Sequence, residues 1–426
     1  MAKAVDSMCE EKIMHKEVAI IGSGIAGLSL AHELSCLGIG SAIIDRQAVA
    51  GGQAAGFACK ATDSCQRCGA CIVHDYVSKV TIDDMIEPLL SCHILDSSRT
   101  SAGFELLLNE VPARIDQAKC SGCGICKKVC PSPGAIRINP YTGSFFIEYS
   151  ECLLALGFSC SVCEQACFDD AISISSESVP KKVEALAIAI ATGFEPFDAT
   201  IKKRFGYGRI PGVITSLDLE NLFRSGYFQN MGSENSFSSI AFVQCVGSRD
   251  IKIGRNYCSR VCCGYAMRSA RLLKFMFPSI KVTMFFMDLQ TFDRDFEDRV
   301  MAASREVDLI RGIPSEIKLG ASGKPEVVYN DNDDEVRVEE FDMVTLSVGM
   351  GPTTPHIGGY LGFIGANSGN YGDGSFGNPD PTTTGVFRAG SANGPRTIQE
   401  SIEHAAHVAC EIDRYLCKIK SGVDVE

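Results

Sequence analysis

One stretch, Glu17 to Gln53, limits what this chain can fold into. Val18 to Ile21 is a short apolar run that reads as a buried strand, and Gly22-x-Gly24-x-x-Gly27 follows at once. Leu28, Ala31, Leu34 and Leu37 then recur at helical spacing, Gly38 to Gly40 makes a turn, and Ser41 to Ile44 reads as a second strand ending in Asp45. Glycines there let a backbone approach a pyrophosphate, and the helix N-terminus faces its charge. Asp45 stands 23 residues after Gly22, where an acid takes a ribose hydroxyl. A lone glycine triplet says little. Strand, helix, second strand and acid in register define a dinucleotide site, and Gly51-Gly52-Gln53 lets the backbone approach the far end of the ligand.

At 426 residues the chain has room for two or three domains. No apolar run approaches the ~20 residues that span a bilayer, so no membrane insertion is expected. Residues 1 to 16 mix Glu, Asp and Lys without an apolar core, so a cytoplasmic location is expected. A net charge of -12 argues against a nucleic-acid partner.

Cysteine is the compositional outlier, with 21 residues, sixteen of them in tight groups. In a cytosolic setting such groups bind metal or do redox chemistry. Cys59, Cys65, Cys68 and Cys71 are spaced C-x5-C-x2-C-x2-C, which suits a cubane, although four thiolates also suit zinc. Cys120, Cys123, Cys126 and Cys130, followed by Pro131, form the bacterial ferredoxin run, and Cys152, Cys160, Cys163 and Cys167 form a second. In paired runs the last cysteine of each crosses to the other cluster. Cys120, Cys123, Cys126 and Cys167 are therefore expected on one [4Fe-4S] cluster, and Cys152, Cys160, Cys163 and Cys130 on the other. The x7 gap after Cys152, and Phe168 where proline is usual, depart from the pattern.

Lys182 to Thr192 reads as a buried strand closed by Gly193. ATGFEP resembles the turn by which two-dinucleotide flavoproteins return to the FAD domain, which makes residues 117–173 an insertion. A second strand–helix–strand pattern starts at Ser239, but Cys245 stands where its first glycine would be. Cys258, Cys262 and Cys263 follow, so a fourth cluster is one reading and a redox-active Cys262-Cys263 pair is the equal alternative. Residues 357–385 read as an irregular connection, and His404 and His407 as a helix pair rather than a metal site.

VQCVGSRD, YCSRVCC, MDLQTFDRDFED, IRG, LSVGM and FRAGSANGPRTIQESI resemble the A subunit of heterodisulfide reductase. The resemblance covers nearly the whole chain. It implies an α/β, thioredoxin-reductase-like two-dinucleotide flavoprotein fold with an inserted α+β 2[4Fe-4S] ferredoxin domain. The expected segments are FAD-binding parts at 16–116, 174–235 and 343–426, the insert at 117–173, and a degenerate NAD(P)H-like domain at 236–342. FAD is expected against Gly22, Ser23, Gly24, Ile25, Ala26, Gly27, Asp45, Arg46, Gly52, Gln53, Thr192, Gly193, Gly390, Ser391 and Gln399. The resemblance also implies a cluster on Cys245, Cys258, Cys262 and Cys263, for about four [4Fe-4S] clusters in all. Ser391 replaces the Asp that usually ends the second FAD motif, a change this family shares.

The family reading is an oxidoreductase subunit that relays electrons, with the parts that flavin-based bifurcation requires. Terminal chemistry falls to partners: HdrB-, HdrC- or MvhD-type subunits or a terminal reductase, with ferredoxin as a further partner and a homodimer within the complex. Relatives of similar length are the A subunit of the quinone-interacting membrane-bound oxidoreductase complex and the corresponding subunit of class II benzoyl-CoA reductase. The Cys59 quartet departs from the quinone-complex pattern. A stand-alone NAD(P)H-dependent flavin reductase is the rival outside this family, and Cys245 in place of a phosphate glycine argues against it.

Overall fold

The computed structural model describes residues 13–175, 177–231, 237–290, 301, 305–331, 333–353 and 384–422. Most of the 357–385 connection, and MDLQTFDRDFED beyond Gln290, lie outside the described residues.

The first sheet is built on β1 (Ile13–Ile21), which pairs in parallel with β2 (Ser41–Ile44) and, on its other side, with β8 (Val179–Ile190). β3 (Ile86–Leu89) extends it beyond β2 in parallel. The long strand β8 shares its outer edge between two partners. β5 (Gly103–Glu110) lies antiparallel along Val179–Ala185 with β4 (Cys92–Thr100) outside it, and β19 (Val386–Arg388) lies parallel along Ile188–Ile190. The apolar runs of β1 and β8 are continuous because both faces are covered. One face carries α1 (Ile25–Cys36) and α7 (Ile398–Lys420), in a core holding Leu28, Leu34, Val408 and Ile412. Leu37 caps α1 and is 48 % exposed, so the buried apolar spacing of that helix ends at Leu34 and the helix itself at Cys36.

The second sheet orders β10 (Val213–Thr215), β17 (Met343–Val348), β11 (Ser239–Val246), β12 (Lys281–Phe286) and β13 (Asp308–Arg311), all parallel. Strands from both sides of residues 236–342 thus join this sheet. α5 (Ser216–Arg224) and α6 (Cys262–Met276) pack on one face through Leu219, Phe223, Ala266 and Ala270. The antiparallel strands β14 (Glu316–Leu319), β15 (Pro325–Asn330) and β16 (Val336–Glu340) cover the other face through Ile317 and Val327. β9 (Phe194–Pro196) and β18 (Met350–Pro352) pair antiparallel as the crossing between the two sheets.

Residues 115–172 leave and re-enter between β5 and β8. Ile115 bridges Ile172, and Ser173 N–H donates to the Arg114 carbonyl at 2.9 Å, so the two ends are clasped together. The segment has its own small core of Ile115, Ile136, Phe145, Ile147 and Ile172 with two cysteines. Its regular elements are the hairpin β6 (Ile136–Ile138) and β7 (Phe145–Ile147) and the single turns α3 (Ile125–Val129) and α4 (Val162–Gln165). Tyr141 ties the segment to the first sheet by donating to the Ala50 carbonyl at 3.0 Å and meeting His74 of α2 (Ile72–Thr81) edge-on.

Candidate functional site: a cleft between two sheets, bordered by cysteines

A cleft of about 640 Å³ runs from the carboxyl end of β1 to the N-terminal turn of α6. Its first end is a cradle that only glycine allows. A Cβ on Gly22, which has φ 111°, would lie 2.4 Å from the Ala191 carbonyl oxygen, and one on Gly27 would lie 1.9 Å from the Gly22 oxygen. Gly24 differs, because a Cβ there meets nothing within 4 Å; its open side faces the cleft it lines. The cradle fits a phosphate-bearing ligand held by backbone N–H groups. Asp45 also lines the cleft. Its carboxylate accepts from Ser23 N–H at 2.6 Å, the Ser23 hydroxyl at 2.7 Å and Gln47 N–H at 2.9 Å.

Ile25, Ala26, Arg46, Gly52, Gln53, Thr192, Gly193 and Ser391 stand on the same wall. Ser23 is fully buried behind it, and Gly390 backs it so closely that a Cβ would lie 2.3 Å from that of Ala26. The exposed Gln399 is not brought to the wall; Arg396, Thr397, Ile398 and Ser401 of the same segment are. His404 accepts the Gly390 N–H through Nδ1 at 3.0 Å, and burial followed by Arg396 lowers its pKa to about 4. It holds the glycine turn rather than a metal.

The other end of the cleft reaches cysteines. Cys262 and Cys68 line it. Cys262 is buried at the start of α6, within electrostatic reach of Cys245, Cys263 and Cys258. Burial, then Cys263 and Cys258, push Cys245 up to about 12. In the insert, burial raises Cys126, with Cys120, Cys123 and Cys167 adding to the effect. Burial raises Cys163 to about 11, with Cys130, Cys152 and Cys160 contributing. Those last four also enclose one small apolar pocket. The structure thus gathers three sets of thiols around Cys126, Cys163 and Cys245, whose burial disfavours their thiolates, a donor set that fits a cluster releasing protons as it binds.

Cys59, Cys65, Cys68 and Cys71 share one loop before α2, with all but Cys68 exposed. Backbone N–H groups point at their sulfurs, from Ala61 to Cys59 at 3.5 Å and from Arg67 to Cys65 at 3.4 Å. Among the described residues no three His, Cys, Asp or Glu side chains converge on a single metal ion. A cubane does not require that, since each of its thiolates takes a different iron.

Sequence reading missed the middle of the cleft. Lys60 and Glu220 line it as an ion pair at 2.5 Å, 3 % and 4 % exposed. The ammonium lies 5.3 Å and 5.5 Å from the Phe223 and Tyr265 ring centroids. The partners stand 160 residues apart, so no local pattern marks them. The arginines around Cys258 look like a basic surface in sequence, yet several are committed internally. Arg249 pairs with Asp288, Arg260 pairs with Glu400 of α7, and Arg255 lies 5.0 Å from the Phe197 ring centroid.

A family model described as an FAD binding domain matches residues 15–126. Thioredoxin reductase of Lactococcus lactis, in its FR conformation, shares the fold with a TM-score of 0.53 at 14 % identity, over 95 % of this chain and 99 % of that one. HOCl-induced flavoprotein disulfide reductase RclA of Escherichia coli does so with a TM-score of 0.50 at 14 % identity, over 93 % of this chain and 70 % of that one. Fold and cradle define an FAD-binding flavoprotein of the two-dinucleotide, thioredoxin-reductase-like class.

Its particular likeness is to the A subunit of heterodisulfide reductase. The chain is 29 % identical over 432 residues to the A subunit of the ferredoxin:CoB-CoM heterodisulfide reductase of Methanosarcina mazei, covering 94 % of this chain and 53 % of that one. It is 29 % identical over 430 residues to the iron-sulfur A subunit of the CoB-CoM heterodisulfide reductase of Methanocaldococcus jannaschii, covering 93 % of this chain and 64 % of that one. The chain therefore spans about half to under two thirds of the length of these relatives. Among the described residues, no helix is long and apolar enough to cross a membrane.

Proposed function

We propose that this chain is an electron-transfer flavoprotein component of a larger oxidoreductase complex, like the A subunit of heterodisulfide reductase. One observation carries the reading: a single cleft has the FAD cradle at one end and cysteines of two different groups, Cys68 and Cys262, at the other. FAD supplies two-electron chemistry and each [4Fe-4S] cluster one-electron chemistry. Gly22, Gly24 and Gly27 hold the dinucleotide, Asp45 and Arg46 orient its sugar end, and Gln53, Thr192 and Gly193 line the flavin end. Cys120, Cys123, Cys126 and Cys167 hold one cluster, and Cys130, Cys152, Cys160 and Cys163 the second. Cys245, Cys258, Cys262 and Cys263 hold the third, and the Cys59 loop the fourth. The loop's backbone N–H groups aimed at Cys59 and Cys65 support iron-sulfur there.

Two different cysteine groups reaching one cleft favour splitting a two-electron input into two one-electron routes. Terminal substrate chemistry then belongs to a partner, in a complex of the heterodisulfide reductase or class II benzoyl-CoA reductase kind. Anaerobic purification should return one FAD and about sixteen irons per chain, since four cysteine quartets each take a four-iron cubane. About eight irons would confine clusters to the insert, and zinc in the Cys59 loop would remove that cluster alone. Rapid NADH bleaching of the isolated chain would instead support the stand-alone reductase.

A further inference from the structure

Among the described residues, two buried side-chain carboxamides have neither atom partnered, and each adjoins a cysteine of a proposed cluster. Gln66 follows Cys65 and is 4 % exposed; Gln244 precedes Cys245 and is 1 % exposed. A buried amide left unsatisfied forfeits its solvation without recompense, so such groups rarely stand without a purpose.

The direction of Gln244 follows from its strand. Side chains two apart on a strand share a face. Phe242 packs with Ala266, Met267 and Ala270 of α6, and Gln244 follows it on that face at the start of the register shift that separates Val243 from Val246. It stands further toward the strand's carboxyl end, next to Cys245, and the N-terminal turn of α6 carries Cys262 and Cys263. Gln244 does not line the cleft, whereas Cys262 does.

We infer that the Gln244 carboxamide donates a hydrogen bond to sulfur of the cluster held by Cys245, Cys258, Cys262 and Cys263, and raises the reduction potential of that cluster. The inference rests on the cluster reading proposed above. Reduction adds one electron to the cluster, and no bond or proton is exchanged at Gln244. An N–H aimed at sulfur stabilises the more negative, reduced form, and hydrogen bonds to the sulfurs are among the terms that set such potentials.

The test is a dye-mediated redox titration of the anaerobically purified, cluster-loaded chain, followed by electron paramagnetic resonance. The signal that disappears in Cys258→Ala identifies the cluster. In Gln244→Met its reduction equilibrium should move at least tenfold toward the oxidised form, about 59 mV for a one-electron couple. The other signals should hold still. A shift of that signal within threefold of the unaltered chain, or in the opposite direction, overturns the inference. If Cys258→Ala loses no signal, the cluster reading itself fails and the inference falls with it. The unaltered chain gives an independent reading should the methionine variant not fold. With 15N in glutamine side chains, pulsed resonance on the reduced signal should show a 15N coupling. Exchangeable deuterons without that coupling would mean that a buried water, and not Gln244, supplies the donor.

Discussion

Replacing Lys60 by methionine tests whether the pair in the cleft joins the Cys59 loop to the second sheet. The ammonium donates to Glu220 Oε1 at 2.5 Å and to the Ala58 carbonyl at 3.1 Å, and Glu220 Oε2 accepts the Ala58 N–H at 2.9 Å. With both side chains almost wholly buried, Lys60→Met leaves a carboxylate facing one N–H and no counter-charge. Breaking a buried pair from one side costs about 3–5 kcal/mol. Losing the ammonium over Phe223 and Tyr265 adds about 0.5–2 kcal/mol. Glu220→Gln added to Lys60→Met removes the uncompensated charge and keeps an acceptor for Ala58, and should recover at least half the loss. The assay is denaturant-induced release of flavin, with far-UV dichroism in parallel, on the anaerobic flavin-loaded chain at pH 5.5 and pH 8. A single variant within about 1 kcal/mol of the unaltered chain, or a double variant no better than the single, would refute the reasoning.

Three further outcomes follow from the same geometry. Gly24→Val should leave the fold intact, because a Cβ there meets nothing within 4 Å, while flavin content falls at least tenfold; full flavin retention would dismiss the cradle. Gly27→Ala should lower both folded yield and flavin, since its Cβ meets the Gly22 oxygen at 1.9 Å. For His404, the folded pKa is lowered from 6.5 to about 4, so between those values the unfolded chain binds a proton the folded chain refuses, and stability falls as pH drops through that window. Thermal midpoints from pH 7 to 4.5 should fall more steeply for the unaltered chain than for His404→Gln, and parallel curves would contradict the assignment.

Much of the first half was legible because its signals are local. Ser41–Ile44 folds as a strand with those bounds. In the insert, Cys167 lies within electrostatic reach of Cys126, and Cys130 within reach of Cys163. What escaped depends on contacts between distant segments. Glu220 gives no hint in sequence that it will meet Lys60, nor Glu400 that it will meet Arg260.

Under the cluster assignment proposed above, the ends of β1 and β11 serve two ligand chemistries. Each leads toward a helix that lines the cleft, through Gly22 with φ 111° and through Cys245 with φ 60°. A residue with a Cβ in that region costs about 1–3 kcal/mol and persists only where its surroundings hold it. Arg249 and Arg260 share that conformation in the same loop, with φ 54° and φ 64°. Each is pinned from outside, Arg249 by Asp288 and by its N–H to the Tyr257 carbonyl at 2.9 Å, Arg260 by Glu400. A phosphate cradle needs bare backbone, which glycine provides without strain. A thiolate needs a side chain at the same bend, so the loop must absorb the strain and be held by partners from the rest of the fold. Arg260 makes that hold reach across the cleft, because Glu400 is also the residue that closes the capping box of α7 with Thr397. The loop carrying Cys258 is therefore braced against the FAD-binding half, as a fixed separation between cradle and cysteines requires.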